Sequence, residues 1–392
     1  MTTRRSFLAL SGGVLAAVAG CRGSKPAATP VPDVVLARGR DGVVRLTGAE
    51  ARPLGAGSVL SRDGAIAYAG QLVRIDAATG APLQEQSIGG GWVPRVVAES
   101  GDACVLARTR PADPPVGRTS SPLLVIGPDR HDELTLPGCV EPDAFTADGQ
   151  GLFVLDWLPA DNPDHYRVRL LSFTDGKMTP LFTRDKRPVP EDAEEQMRGR
   201  GRQAVYSRAR QTLYTLYTHQ PEHQHTRDLL KGTRSHVHAF VHVLHLSEQW
   251  AYCLDLPDPF GQGPAEGHAL AVDGQRIAVL DTASGSIAYA GAESLAIEEV
   301  ARIPAGKGVA SLASGDGGRL FAADGATVHV LDGSRPAATW TLPTAARGLQ
   351  LSPDKSRLYA GGDDEVVWLD TTSGSVRGRA RAEGLVDVLS VK

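Results

Sequence analysis

The sequence predicts an all-β protein in which one four-stranded unit recurs along the chain. Three observations support this prediction. Apolar runs of four to seven residues, rich in Val, Leu, Ile and Ala, are bounded by Asp-Gly and Thr-x-x-Gly turns that reach positive φ at little cost. No helical period persists for two turns. Segments that are far apart in the chain follow the same plan, which is typical of a repeat architecture.

The repeated unit is a short apolar strand, a turn, a second strand, a tight turn and a third strand, usually followed by a fourth. "SVLSRDGAIAYAGQLVRIDAATG" (58–80) aligns with "LQLSPDKSRLYAGGDDEVVWLDTTSG" (349–374), and residues 269–291 and 311–335 follow the same order. The pattern resembles the β-propellers of the YVTN and WD-repeat kind over nearly all of residues 34–392. This resemblance implies four-stranded blades around an axis, and it specifies fold rather than function.

The spacing of the inner strands predicts the number of blades. A further step of the repeat reaches Leu385, where "LVDVLSV" forms one more inner strand, and residues 34–55 contain three strands that lack an inner one. The C-terminal strand can therefore complete the first blade and close the ring, which leaves no long sheet edge open. We expect eight blades, with seven as the alternative. Inner strands are expected to begin near residues 58, 93, 143, 203, 268, 309, 348 and 385.

The chain begins with a targeting segment. Arg4 and Arg5 precede an apolar run that is shorter than the roughly 20 residues of a membrane span. The arginine pair resembles the twin-arginine export signal, and "VAGC" (18–21) resembles the lipobox of bacterial lipoproteins. The resemblance implies removal of residues 1–20, acylation of Cys21 and anchoring to the outer face of the cell membrane, with residues 21–33 as a flexible tether.

The charge of the remaining chain argues against nucleic-acid binding. Without residues 1–20, 39 basic residues face 45 acidic residues, which is a formal charge of −6. Nucleic-acid binding depends on clustered Lys and Arg that neutralise phosphates. We therefore expect no nucleic-acid partner.

Three cysteines remain besides Cys21. We expect Cys104 and Cys253 to lie within strands and Cys139 to lie in a loop, all three as buried thiols. A disulfide between Cys139 and one of the other two is the alternative.

Five long segments are predicted to lie on one face of the ring, which we call the inserted face. Neighbouring strands are antiparallel, so turns between second and third strands share a face with the connections between blades. Residues 108–122, 157–166 and 219–235 are turns of the first kind, and residues 184–201 and 257–267 are connections of the second kind. Loops of this length carry function or are disordered, with neutral decoration as the alternative. The acidic run in 184–201 is interpreted as a solvated segment.

Seven of the eleven histidines lie between residues 216 and 246. We interpret residues 235–246 as a third strand that begins at the inserted face, with His242 and His245 running towards the opposite face. His219 is placed at the end of the preceding strand. Candidate ligand-binding residues at the inserted face are His165, His219, His223, His225, His236, His238 and His268.

Imidazoles from separate segments suit Zn or Cu. The spacing His219-x3-His223-x-His225 matches no established metal motif, and we place no cysteine or carboxylate beside it. We therefore expect a loose, pH-sensitive polar cluster near the channel mouth and no cofactor, with Zn or Cu as the alternative. In the metal alternative the ligands come from His219, His223, His225, His236, His238 and His268.

No catalytic motif is found in the sequence. It contains no G-x-S-x-G, no H-E-x-x-H, no C-x-x-C-H and no Walker loop. We expect a monomeric, anchored, non-enzymatic module that binds a protein or small molecule through the inserted face. A metal-binding or metal-dependent propeller and a propeller hydrolase such as a lactonase are the alternatives.

We predict that Cys21→Ser prevents acylation and releases the protein from the membrane fraction, because the thiol is the site of lipid attachment that the lipobox implies. Replacing both Arg4 and Arg5 with Lys should block export. Labelling with a fatty-acid probe and cell fractionation measure these outcomes. A Cys21→Ser protein that still incorporates the probe would contradict the lipoprotein assignment.

Overall fold

The computed structural model describes residues 29–70 and 72–392, and these form an eight-bladed β-propeller. The predicted signal peptide, Cys21 and residues 21–28 of the predicted tether lie outside the described residues. Each blade is a four-stranded antiparallel sheet, and one blade carries an additional fifth strand. The predicted fold class and the count of eight blades are confirmed.

The first four blades contain the following strands. Blade 1 has β1 (Val31–Gly39), β2 (Gly42–Gly48) and β3 (Glu50–Pro53); blade 2 has β4 (Val59–Leu60), β5 (Ile66–Ala69), β6 (Val73–Asp76) and β7 (Pro82–Glu85). Blade 3 has β8 (Val93–Val97), β9 (Cys104–Ala107), β10 (Ser120–Gly127) and β11 (Arg130–Pro137); blade 4 has β12 (Cys139–Phe145), β13 (Gly151–Leu158), β14 (His165–Ser172) and β15 (Met178–Pro180).

The remaining blades follow in chain order. Blade 5 has β16 (Phe182–Thr183), β17 (Arg200–Ser207), β18 (Thr212–Thr218), β19 (Phe240–His245) and β20 (Trp250–Asp255); blade 6 has β21 (His268–Val272), β22 (Arg276–Asp281), β23 (Ser286–Gly291) and β24 (Ile297–Arg302). Blade 7 has β25 (Ala310–Ser314), β26 (Arg319–Asp324), β27 (Thr327–Asp332) and β28 (Arg335–Thr341); blade 8 has β29 (Leu349–Leu351), β30 (Arg357–Gly362), β31 (Glu365–Asp370) and β32 (Val376–Arg381). The last strand is β33 (Leu385–Val391).

Helical structure in the described residues is short. The α-helix α1 spans Thr226–Leu229, and single 3₁₀ turns span Glu191–Ala193, Arg208–Arg210, Ala265–Gly267 and Asp316–Gly318. None of the helices within residues 29–70 and 72–392 has the length and hydropathy that crossing a membrane requires.

The C-terminal strand closes the ring. The strand order of blade 1 is β3-β2-β1-β33, so the end of the chain supplies the innermost strand of the blade in which the described chain begins. Leu385 and Val388 of β33 pack between blades 1 and 8 in one buried cluster. Asp33 of β1 accepts hydrogen bonds from Arg357 and Tyr359 of blade 8, the second at 2.6 Å. The predicted closure is confirmed.

Three element boundaries differ from the sequence prediction, one of them the start of β19, which lies at Phe240 and not at residue 235. Strand β1 begins at Val31, three residues before the predicted start of the propeller domain. Cys139 is the first residue of β12 and does not lie in a loop, because the inner strand of blade 4 begins earlier than residue 143. The thiols of Cys104, Cys139 and Cys253 are free and buried.

Four of the five long segments occupy the kinds of connection that the sequence predicts, and the fifth, predicted to join blades 4 and 5, joins two strands of blade 5 because the added strand β16 pairs with β20. Residues between β9 and β10, between β13 and β14, and between β18 and β19 join second to third strands. Residues 184–199 join β16 to β17, and residues 256–267 join β20 to β21. Four of the five segments therefore lie on one face, over blades 3 to 6. Residues 184–199 begin at the opposite face, where Arg184 donates to the carbonyl oxygens of Glu293 and Ser294 in the β23–β24 turn, and they end at β17 on the inserted face.

We predict that Val388→Ala lowers the free energy of unfolding by about 1–3 kcal/mol, because it leaves a cavity in the cluster that seals the ring. The matched variant is Val386→Ala, two residues earlier in the same strand. Val388 is 2% exposed and Val386 is 40% exposed, so the second change should cost less than about 0.5 kcal/mol. Chemical denaturation measures both values, and equal losses would contradict a closing role for β33.

Candidate metal centre

Four side chains that can ligate a metal converge beside blade 5. They are Glu195, His223, His225 and Cys253, and one ligand atom from each lies within 4.8 Å of all the others. We call them the four-residue cluster. They come from three separate segments, namely the connection between β16 and β17, the insertion between β18 and β19, and strand β20. Tertiary structure therefore assembles the cluster.

The contacts within the four-residue cluster centre on one carboxylate oxygen. The Cys253 thiol donates to Glu195 Oε2 with an S–O distance of 2.9 Å, and His223 Nε2 lies 3.7 Å from the same oxygen. His223 Nε2 and His225 Nδ1 are 3.2 Å apart. The backbone N–H of Thr226 donates to Glu195 Oε1 at 2.8 Å. One oxygen of Glu195 is thus held by the backbone, and the other faces the cluster.

Groups outside the cluster orient the two imidazoles. His223 Nδ1 lies 3.2 Å from the carbonyl oxygen of Gln196, which can only accept, so Nδ1 carries the proton. His225 Nε2 lies 2.7 Å from Asp255 Oδ1, although the contact is poorly aligned with the ring N–H. In this arrangement His223 Nε2 and His225 Nδ1 direct lone pairs towards one another. A cation or an additional proton between them removes the repulsion.

The four-residue cluster is shielded from water. The side chains of His223 and His225 have no exposed surface, and that of Glu195 is 13% exposed. The Phe240 ring lies under them, stacked on the His223 ring with centroids 4.3 Å apart and edge-on to the His225 ring. A fixed wall therefore supports both imidazoles.

Electrostatics make the cluster favourable for positive charge. Burial alone would raise the pKa of Glu195, but the adjacent imidazole of His223, with those of His225 and His242, holds this pKa well below its usual value when these rings are protonated. Burial, and then the adjacent Glu195 carboxylate, raise the pKa of the Cys253 thiol well above its usual value. Without a cation, Cys253 is therefore a neutral thiol beside an ionised carboxylate.

Glu195 is positioned by ion pairs that its neighbour Glu194 makes with blade 4. Arg169 Nε donates to Glu194 Oε2 at 2.9 Å, and Arg167 Nη1 lies 3.1 Å from Glu194 Oε1. Arg167 also contacts Asp156 at 2.8 Å. The pairs are buried and well connected, so they hold the segment that carries Glu195 against β14.

Asp255 is positioned by helix α1. Arg227 contacts the Asp255 carboxylate and donates to the carbonyl of Cys253, so one side chain ties the helix to both ends of the Cys253–Asp255 stretch. Burial raises the pKa of Asp255, but the hydrogen bonds and charges of His225 and Arg227 outweigh it, so the pKa is lowered. Asp255 is therefore ionised and able to hold the His225 ring.

His242 also belongs to the surroundings of the cluster. It lies on β19 directly opposite Cys253 of β20, so the two side chains share a face of the sheet. Its charge helps to lower the pKa of Glu195. His242 lies along β19 in the direction predicted, towards the opposite face, and its closeness to Cys253 was not predicted.

The other predicted histidines do not join the cluster. His236 and His238 precede β19 and do not begin it, and His236 is exposed. His268 begins β21 as predicted, but its Nδ1 lies 2.9 Å from the Pro264 carbonyl and its Nε2 accepts from the Gly261 N–H. Both ring nitrogens are therefore engaged.

His219 and His165 lie nearby without joining the cluster. His219 follows β18 with a φ of 60°, and its ring centroid is 6.5 Å from that of His268. His165 begins β14, contacts Asp164 and lies 3.5 Å from an Arg198 nitrogen. Of the six residues predicted as metal ligands, only His223 and His225 are brought together. They meet beside β20, the fourth strand from the axis, and not at the channel mouth.

Two cavities flank the four-residue cluster. The larger, of about 450 Å³, is lined by His223 together with residues of the β16–β17 connection and of the insertion between β18 and β19. We call it the outer cavity. The smaller, of about 40 Å³, is lined by Glu195 and His242 with mainly apolar neighbours. The residues that line the outer cavity are Asp192, Glu194, Gln196, Arg198, His219, Gln220, Pro221, Glu222, His223, Gln224 and Leu229.

Sequence reasoning missed Glu195 and Cys253. Glu195 lies in an acidic run that has the composition of a solvated segment, and Cys253 lies in an ordinary apolar strand. One available signal was the antiparallel pairing of β19 with β20, which places Cys253 opposite His242. No signal in the sequence indicates the position of Glu195.

This chain is similar to known proteins in fold alone. No family model matches the chain, and no match to a curated protein is found. Apo AztD from Citrobacter koseri is similar in structure with a TM-score of 0.54 and 11% identity, covering 92% of this chain and 97% of that chain. A eukaryotic initiation factor gives a TM-score of 0.50 and 12% identity over 91% of this chain and 97% of that chain.

A third solved structure is less similar. The dihydro-heme d1 dehydrogenase NirN in complex with DHE has a TM-score of 0.47 and 12% identity, covering 83% of this chain. This chain spans 63% of the length of that protein.

We predict that Arg169→Met lowers the free energy of unfolding by about 2–4 kcal/mol, because it leaves the buried Glu194 carboxylate with one partner fewer. The matched variant is Arg187→Met in the same connection. Arg187 pairs with Asp185, and both side chains are more than half exposed, so its loss should cost less than about 0.5 kcal/mol. Urea denaturation measures both values, and similar losses would contradict a positioning role for the Glu194 ion pairs.

Proposed function

We propose that this protein is an exported, membrane-anchored propeller that binds one divalent transition-metal ion, with Zn²⁺ as the preferred ion, at Glu195, His223, His225 and Cys253. The observation that carries the proposal is the pair of imidazole nitrogens that face each other 3.2 Å apart beside a carboxylate and a thiol. Residues 1–21 support the export and anchoring part of the proposal.

The separations within the cluster suit a tetrahedral ion. Zn²⁺ binds nitrogen and oxygen at about 2.0–2.2 Å and sulfur at about 2.3 Å, which places tetrahedral ligand atoms roughly 3.2–3.8 Å apart. The S–O, N–N and N–O separations measured above are 2.9, 3.2 and 3.7 Å. The four ligand atoms lie within 4.8 Å of one another, so shifts of up to about 1 Å complete the coordination sphere.

The charge of the ligand set favours a divalent ion. When Cys253 releases its proton to the solvent, the thiolate and the Glu195 carboxylate together carry two negative charges, and the imidazoles are neutral. A divalent ion makes the buried centre neutral, whereas a monovalent or trivalent ion leaves a net charge that is costly to bury. Asp255 and the Gln196 carbonyl then act as the outer partners that orient ligating histidines.

A metal site with four protein ligands is better suited to holding an ion than to catalysis. Catalytic zinc sites keep one position open for water or substrate, whereas sites with four protein ligands are closed. The sequence also lacks catalytic motifs. We therefore favour a binding protein over a hydrolase.

Copper is the second candidate because two histidines and one cysteine, with a weaker axial oxygen, also form copper sites. Cu²⁺ bound to the Cys253 thiolate would give an intense visible charge-transfer band. Zn²⁺ gives no such band, so absorption spectra of the loaded protein distinguish the two ions.

We predict that protein purified without a His tag binds about one Zn²⁺ per chain, and that Cys253→Ser or His225→Ala weakens binding at least 100-fold because each removes a ligand. Elemental analysis and calorimetric titration measure stoichiometry and affinity. Zn²⁺ at 100 times its Kd should also stabilise the fold by about 2.7 kcal/mol.

His236→Ala is the matched control, since His236 belongs to the same insertion and is exposed. This variant should bind Zn²⁺ like the unmodified protein. If the unmodified protein binds neither Zn²⁺ nor Cu²⁺, or if Cys253→Ser binds Zn²⁺ normally, the proposal is wrong.

A further inference from the structure

We infer that the bound ion is exchangeable, that it enters and leaves through the outer cavity, and that the charges at the rim of this cavity set the rate of exchange. This inference rests on the proposed metal-binding function. It adds to that function the route by which the ion reaches the site and the charges that control the rate of exchange. Three features of the structure support it.

The first feature is the size of the two cavities that flank the four-residue cluster. A water molecule takes up about 30 Å³, so an ion with six waters needs roughly 180 Å³. The outer cavity, at about 450 Å³, accommodates such an ion. The smaller cavity, at about 40 Å³, holds about one water molecule, and the Phe240 ring covers the His223 ring on another side.

The second feature is the position of His223. Among the four residues of the cluster, His223 lines the outer cavity, and the Gln196 carbonyl that orients its ring belongs to the same cavity. The side chains of His225 and Cys253 lie deeper, beside β20. The His223 imidazole itself has no exposed surface, so an ion that arrives from the outer cavity reaches the deeper ligands when this ring moves aside, and it can then exchange its waters for the ligands one at a time.

The third feature is the charge around the outer cavity. Glu194 is neutralised by Arg167 and Arg169. Asp192 and Glu222 are exposed acids on the wall, and Arg198 is an exposed base. A cleft with a surplus of acidic groups raises the local concentration of cations and speeds their association. The pattern thus favours cation uptake, with Arg198 opposing it.

These features separate rate from affinity. The exposed charged residues of the outer cavity, Asp192, Arg198 and Glu222, lie outside the four-residue cluster. Changing their charge should therefore alter the association rate of Zn²⁺ and leave the ligands that hold the ion unchanged. Narrowing the outer cavity should slow association and dissociation together and leave Kd nearly unchanged. A variant that changes Kd without changing the association rate has altered a ligand and not the route.

The test uses the full chain and stopped-flow competition with a fluorescent zinc chelator. Asp192→Asn combined with Glu222→Gln should lower the association rate about 2–5-fold at low ionic strength, and Arg198→Gln should raise it by a similar factor. Both effects should fade in 0.5 M salt because the charges are screened. The charge-matched control is Glu50→Gln combined with Glu85→Gln on exposed outer strands of blades 1 and 2, which should leave the rate unchanged.

A second variant tests the route by size. Leu229→Trp places a larger side chain in the wall of the outer cavity, and both exchange rates should fall at least 3-fold with Kd within 2-fold of the unmodified value. If all variants bind Zn²⁺ with unmodified rates, the route is wrong while the metal site stands. If the unmodified protein binds no Zn²⁺, the proposed function itself fails.

Discussion

Closure of the ring through β33 is the constraint on which the rest of the structure depends. Each blade buries its two faces only against its neighbours, so a blade with an unpaired inner edge exposes apolar residues on both sides of a gap. Pairing of β33 with β1 removes that edge, and the Asp33 contacts with Arg357 and Tyr359 hold the same junction from the side of blade 8. The closed core leaves turns and connections as the places where the chain can acquire additional residues.

The long segments lie in turns and connections, where they can pack without disturbing the strands. The segment that carries Glu195 and the segment that carries His223 and His225 fold against the outer part of blade 5 and bring polar groups into a buried space. Most of the buried carboxylates and bases there are paired, because unpaired ones would cost free energy, whereas Arg167 Nε and His225 Nε2 have no well-aligned partner. Arg169 and Arg167 satisfy Glu194, and Arg227 satisfies Asp255. The four-residue cluster is thus surrounded by groups that fix its geometry.

Rigid surroundings and an open flank have different consequences for a bound ion. The Phe240 ring and the Glu194 ion pairs hold the four candidate ligand atoms within 4.8 Å of one another, which would limit the reorganisation that the proposed binding requires. The outer cavity lies beside His223, whose imidazole has no exposed surface, so entry of an ion along the proposed route requires this side chain to move. A centre built in this way would combine a defined ligand set with exchange, which agrees with the proposed metal-binding function.

The sequence by itself determined the repeated blade, the count of eight, the closing strand at Leu385 and the face that carries four of the five long segments. These follow from local patterns, since strand period and turn residues repeat within each blade. Tertiary structure decided the centre: Cys253 and Glu195 meet across 58 residues, and only folding of two insertions onto β20 joins them to His223 and His225. It also decided that His236, His238 and His268 stay outside, because a strand that begins at Phe240 and the backbone partners of His268 leave them elsewhere. No spacing in the chain encodes such contacts, because they depend on how loops pack and not on a period.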